Sequence, residues 1–149
     1  MTLIVCLDPR GGWSFYGKRL SKDITASARI AEIVEDKRVW LTESSRKLFE
    51  ELIPYNQLST IPDGFTINDV RSFHTDYCFA ENGRILKNTS IFSEAIVFRW
   101  DKPYPYDEKM LIDFDSSPRW TKISSKTFLG YSHKEILEEH YIRSYKQQQ

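Results

Sequence analysis

Blocks of apolar residues alternate with polar punctuation along this chain, and their spacing predicts a series of elements. Leu3-Ile4-Val5-Cys6-Leu7 is unbroken, apolar and partly β-branched. A strand buried on both faces of a parallel sheet has this pattern. Pro9, Gly11, Gly12 and Gly17 then predict irregular backbone to about Leu20. Ser21 or Asp23 can cap the next helix, in which Ile24, Ala28, Ala31 and Val34 fall at helical spacing. Ile30 and Ile33 widen that stripe, and the helix is predicted to end near Asp36-Lys37. Val39-Trp40-Leu41 is a second short strand. Thr42 or Ser44 caps a second helix, with Leu48, Phe49, Leu52 and Ile53 as its buried stripe and Pro54 as its stop. This order implies an at least partly parallel sheet with helices packed on it.

From Tyr55 to Thr75 the pattern is weak. Ile61-Pro62-Asp63-Gly64 reads as a turn and Thr66 to Val70 as a short helix. Tyr77-Cys78-Phe79-Ala80 is a third strand, stopped by Asn82-Gly83, and Ile85 to Phe92 fits neither period. Ala95 to Trp100 is a clear strand followed by Pro103 and Pro105. Met110 to Phe114 alternates as a strand does, with Met110, Ile112 and Phe114 on one side, and Trp120 to Ile123 is a further strand. Tyr131 to Tyr145 reads two ways. Ser132-His133-Lys134-Glu135 matches a capping box, while Ile136, Leu137, Tyr141 and Ile142 suit helix or strand. Gln147 to Gln149 reads as a frayed tail. The predicted fold class is α/β: one domain over residues 1–149, with a central, mixed but mostly parallel sheet flanked by helices.

Composition narrows the function classes. Lysines and arginines equal aspartates and glutamates at 21 each, so the net charge is zero. Non-specific nucleic-acid binding needs a basic face, so an RNA-processing or nucleic-acid-binding role is disfavoured. Cys6 and Cys78 both sit in predicted strands and read as reduced, buried thiols rather than a disulfide. Leu3 to Leu7 is too short for a signal sequence, and no stretch approaches membrane-spanning length. A cytoplasmic location without membrane partners is the expectation. His74, His133 and His140 share no metal-ligand spacing, so no metal site is expected and ordinary polar roles are assigned to them. GxGxxG, GxxxxGK[ST] and GxSxG are all absent.

The remaining candidate chemistry lies in the first 23 residues. A carboxylate at Asp23, in the first turn of a helix beside buried strands, is a candidate proton donor or ligand anchor, because burial there would raise its pKa. The helix dipole alone also favours an acid at that position. In the loop, Trp13, Phe15 and Tyr16 offer a stacking face, with Lys18 and Arg19 as anion contacts. The alternative is a surface loop whose aromatic residues pin it to the core. The aromatic share is 14%, and a patch of Trp100 and Tyr104 to Tyr106 would permit a homodimer; core packing accounts for these residues equally well.

In this order the segments resemble dihydrofolate reductase. Leu3 to Asp23 resembles that family's first strand, mobile active-site loop and helix entry. There a Leu-Pro-x-Asp places the acid that anchors and protonates the pterin, and Leu20-Ser21-Lys22-Asp23 keeps the Leu and the Asp. Arg38 to Thr42 stands where a strand and cofactor loop would stand. Ala95 to Trp100, Pro105 to Phe114 and Tyr131 to Arg143 are similar to the closing segments, which makes Lys134 to Tyr145 a strand.

The departures fall on the cofactor side. Thr42-Glu43 replaces the Gly-Arg that receives the cofactor's phosphates, and Ala80-Glu81-Asn82 replaces a Gly-Gly against which pyrophosphate packs. The middle is also too short for the usual cofactor-half strands. The resemblance therefore implies a divergent reductase-like fold without an NADPH site. Its remaining cleft would bind a small planar ligand or a protein partner, with Cys6, Trp13, Phe15, Tyr16, Lys18 and Arg19 around Asp23. The alternative it implies is an NADPH-dependent reductase of a pterin-like or nucleotide-like substrate, with Asp23 as proton donor.

Overall fold

A computed structural model describes residues 1–144; the end of the last predicted strand at Tyr145 and the tail Gln147 to Gln149 lie outside the described residues. A seven-stranded sheet carries the architecture. Its strands are β1 (Thr2–Leu7), β4 (Val39–Leu41), β5 (Leu58–Thr60), β6 (Tyr77–Phe79), β7 (Glu94–Arg99), β9 (Trp120–Phe128) and β10 (Ile136–Arg143). They stand side by side as β5-β4-β6-β1-β7-β10-β9. The first five are mutually parallel, and β10 runs antiparallel to both of its neighbours.

The unbroken apolar run of β1 follows from its position, paired in parallel to β6 on one side and β7 on the other. Leu3, Val5 and Leu7 enter one core with Trp13, Trp40 and Val97. Ile4 enters the opposite core with Phe79, Phe98 and the helix α1 (Ile24–Val34). Alternate residues of the strand thus serve two cores, and neither face is left for polar side chains.

Several expectations are corrected. The second helix shrinks to α2 (Glu43–Arg46), and the chain then continues to Ile53 through turns that include Leu48 N–H to Ser45, Phe49 N–H to Arg46 and Leu52 N–H to Phe49. These bonds span three residues rather than four, so Phe49 and Ile53 stay buried while Leu52 faces solvent. Among the described residues the sheet is flanked by one full helix rather than two. β5 adds a parallel strand to β4 in the middle expected to be too short for it.

Pro9 to Leu20 is ordered more than its glycines suggest. It holds β2 (Gly12–Phe15) and β3 (Lys18–Arg19), an antiparallel hairpin that a third strand, β8 (Glu108–Lys109), extends. Tyr16 and Gly17 turn the hairpin with positive φ values of 52° and 75°. Met110 and Phe114 are buried as predicted, but from Met110 the chain turns away and Met110 to Phe114 form no strand. Ile136 to Arg143 is a strand, so the capping-box reading of Ser132 to Glu135 fails: those residues form the turn that leads into β10.

Candidate functional site

Asp23 is the N-cap of α1. Its extended backbone (φ −155°, ψ 125°) turns the carboxylate back over the first helical turn, where Oδ1 accepts from Thr25 N–H at 2.9 Å and Ala26 N–H at 3.3 Å. The connection between β9 and β10 then folds over the same carboxylate. Tyr131 N–H reaches Oδ1 at 3.0 Å, and Ser132 N–H and His133 N–H reach Oδ2 at 2.8 and 3.1 Å. The Ser132 hydroxyl and His133 Nδ1 also contact Oδ2, each at 3.1 Å.

Gly130 is required by this crowding. A Cβ there would sit 2.7 Å from Asp23 Oδ2, from the His133 carbonyl and from Ile136.

Burial by itself pushes the Asp23 carboxyl up. Hydrogen bonds from Tyr131, the His133 ring, Ser132 and Ala26 outweigh it and hold the group well below the usual carboxylate range. The expectation of a raised pKa is reversed, because the helix start and the turn that bury Asp23 also supply it with donors.

His133 is the residue that sequence reasoning missed. It is buried, and its ring lies parallel to that of Trp100, with centroids 4.4 Å apart and planes 20° apart. An ionised carboxylate accepts only, so the Nδ1 facing Asp23 carries the ring proton. Nε2 is then an acceptor, and it meets the Tyr104 hydroxyl at 2.8 Å and the Ser21 hydroxyl at 3.1 Å. No sequence motif marks this set, since its members come from the entry to α1, the end of β7 and the turn before β10. Trp100, for which the sequence leaves an exposed patch and core packing both open, is buried here.

The predicted ligand-binding residues do not converge. Cys6 faces Asp23 across a cavity of about 10 Å³, whose walls include Ala26, Ile30, Phe79 and Trp100. That is room for one water at most. Burial pushes the Cys6 thiol up, with Glu81 adding to the effect, so it is no thiolate nucleophile.

Trp13 points into the core and donates Nε1–H to the Ala80 carbonyl at 3.2 Å, which removes it as a stacking face. Phe15 and the largely exposed Tyr16 lie at the hairpin turn, their rings in contact at 4.4 Å, with Lys18 exposed beside them. Arg19 is not an open anion contact. Its guanidinium is paired with both oxygens of Glu81, at 2.6 and 2.9 Å, and it also reaches the Ser44 carbonyl. Ser45 donates to the same Glu81 at 2.7 Å, so one carboxylate ties the hairpin, α2 and the end of β6 together.

A larger opening lies on the other side of this tie. A cavity of about 580 Å³ sits beyond the carboxyl ends of β4 and β5, where ligands of open parallel sheets bind. Thr42, Glu43 and Lys47 form one wall, Asp63 and Phe65 another, and Asn82 and Arg84 a third. Its charges are balanced, and the half-exposed Phe65 supplies an aromatic face. Among the described residues no group of three or more His, Cys, Asp or Glu side chains is placed to hold a metal ion, and no helix is long and apolar enough to cross a membrane.

No family model matches the sequence, and no curated protein matches it. The structure does have solved neighbours. One is a dihydrofolate reductase from Enterococcus faecalis, complexed with NADP(H) and RAB-propyl. It superposes with a TM-score of 0.63 over 95% of each chain, at 14% sequence identity. The chain therefore has a dihydrofolate reductase-like fold, kept with little of the sequence of that neighbour.

Proposed function

We propose that this chain is a binding protein on a reductase-like fold: it holds a small planar ligand without hydride transfer, in the open cleft beyond β4 and β5. The observation that carries this reading is a contrast between two spaces. The one beside Asp23, which the resemblance assigns to a pterin, is filled by the Trp100–His133 stack and the Cys6 wall down to about 10 Å³, while the neighbouring cleft stays open at about 580 Å³. The chemistry of the open cleft favours an uncharged, nucleoside-like ring system. Phe65 offers stacking, and Thr42, Ser44 and Asn82 offer hydrogen bonds. Lys47 and Arg84 are matched in number by Glu43 and Asp63 along the lining, a balance that gives no advantage to a polyphosphate. Glu81, standing where a cofactor's pyrophosphate would approach, is an anion already engaged by Arg19 and Ser45.

The test is calorimetric titration of the whole chain with adenosine, guanosine, biopterin and NADPH. Saturable binding of one of the first three, weakened at least about fivefold by Phe65→Ala, supports the reading; a stacking contact of this kind is worth about 1–3 kcal/mol. Tight, saturable NADPH binding with oxidation on a pterin substrate overturns it in favour of a reductase. That outcome would require Asp23 to leave its present partners before it could donate a proton.

A further inference from the structure

We infer that Ser21, His133 and Asp23 form a nucleophilic triad that transfers acyl groups from activated esters or thioesters to water. The inference concerns the closed side of the tie and is separate from the planar-ligand cleft. A helix N-cap needs only a side-chain acceptor for the first free N–H groups. Asp23 does that and also fixes a buried imidazole through Nδ1 at 3.1 Å. The ring is locked on its face by Trp100, and Nε2 is aimed at the half-buried Ser21 hydroxyl at 3.1 Å. Nucleophile, base and orienting carboxylate thus stand in series, each within hydrogen-bond reach of the next. This constellation is recognised by geometry and roles rather than by chain order.

Two further features suit acyl transfer. Among the described residues the backbone N–H groups of Ser21 and Lys22 take no protein acceptor, so they are free to meet a developing oxyanion. The space behind Ser21, toward Cys6 and Phe79, is about 10 Å³, too small for an acyl group, so the acyl carbon and the leaving group both lie on the solvent side of Ser21, beside the exposed Lys22. The Ser21 proton moves to Nε2 as Oγ bonds to the carbonyl carbon. The bond from that carbon to the leaving oxygen or sulfur then breaks as Nε2 returns the proton to the departing atom. Water repeats the sequence, releasing the carboxylic acid and restoring Ser21. Tyr104 donates to the same Nε2 at 2.8 Å and competes with Ser21 for its lone pair.

The experiment treats the full chain with 4-nitrophenyl acetate and with diisopropyl fluorophosphate, followed by peptide mapping. The expected result is one phosphoryl label on Ser21, and hydrolysis above buffer that falls about a hundredfold or more in Ser21→Ala. The melting temperature of that variant stays within the range of surface changes. Tyr104→Phe frees the base and raises the rate about fivefold, the factor that one competing hydrogen bond is worth. No label on Ser21, or an undiminished rate in Ser21→Ala, overturns the inference. A Tyr104→Phe variant as inactive as Ser21→Ala would move the chemistry to the tyrosine and overturn it as well.

Discussion

Replacing Asp23 with Asn measures how far this acid holds the fold together, apart from any part it takes in proton transfer. The substitution preserves shape and removes one acceptor. In either amide orientation an NH₂ group replaces one carboxylate oxygen, and it has no lone pair to offer. One orientation turns the NH₂ toward the N–H groups of Ser132 and His133 and the His133 ring; the other turns it toward the N–H groups of Thr25, Ala26 and Tyr131. Each buried donor left unpaired costs about 1–3 kcal/mol, so three of them cost roughly 3–6 kcal/mol after partial relaxation. Against a total stability of about 5–15 kcal/mol this is a severe loss, and at this chain length it lowers the melting temperature by about 6 °C or more.

The pH dependence adds a second reading. The folded-state pKa of Asp23 lies below its unfolded value, so its contribution is fully present above about pH 4 and is lost as the pH falls toward the folded value. Asn has no such dependence. Urea melts of wild type and Asp23→Asn at pH 7 and at steps down to pH 3 measure both effects. The gap between them should be widest near neutrality and narrow in acid. Asp8, Glu138 and Glu139 retain part of the acid limb, since hydrogen bonds and cations outweigh their burial and hold them low. A variant whose urea midpoint at pH 7 matches that of wild type would refute the reasoning and leave Asp23 with no structural role.

Two more substitutions test the surrounding structure. Gly130→Ala places a methyl group against Asp23, His133 and Ile136 and should destabilise by about 1–3 kcal/mol, seen as a lowered denaturation midpoint with an unchanged slope. Arg19→Ala removes the guanidinium from Glu81 but leaves the Ser45 bond. Global stability should therefore fall by only about 1 kcal/mol, while amide exchange across Gly12–Arg19 speeds up relative to β1; equal protection in both proteins would show that the tie does not order the hairpin.

Much of the fold was legible because burial on two faces leaves a strong pattern. β1, β6 and β7 each read as an apolar block, and α1 as a stripe of Ala and Ile at helical spacing. The second helix misled because Leu48, Phe49, Leu52 and Ile53 fit a helical period equally well when the chain makes three-residue turns. The short strands β2, β3, β5 and β8 carry no periodicity of their own; they exist because a neighbour offers a ladder. The site was legible in only one residue. Asp23 stands out by its place at a helix entry, whereas His133 is one polar residue in a turn until the chain folds.

Local sequence, then, determined the order of the main strands, the cap of α1 and the position of the one conspicuous acid, because apolar periodicity and capping act over a few residues. Tertiary structure alone decided what that acid does. Ser132 and His133 meet Asp23, and Ser21, Trp100 and Tyr104 meet His133, only when β10 closes against β7 and brings its leading turn over the helix entry. The same closure holds the Asp23 pKa low, shuts the cavity beside Cys6 and leaves the open space at the ends of β4 and β5. A carboxylate's pKa and a cavity's volume depend on which groups approach through space, and no spacing along the chain encodes that directly.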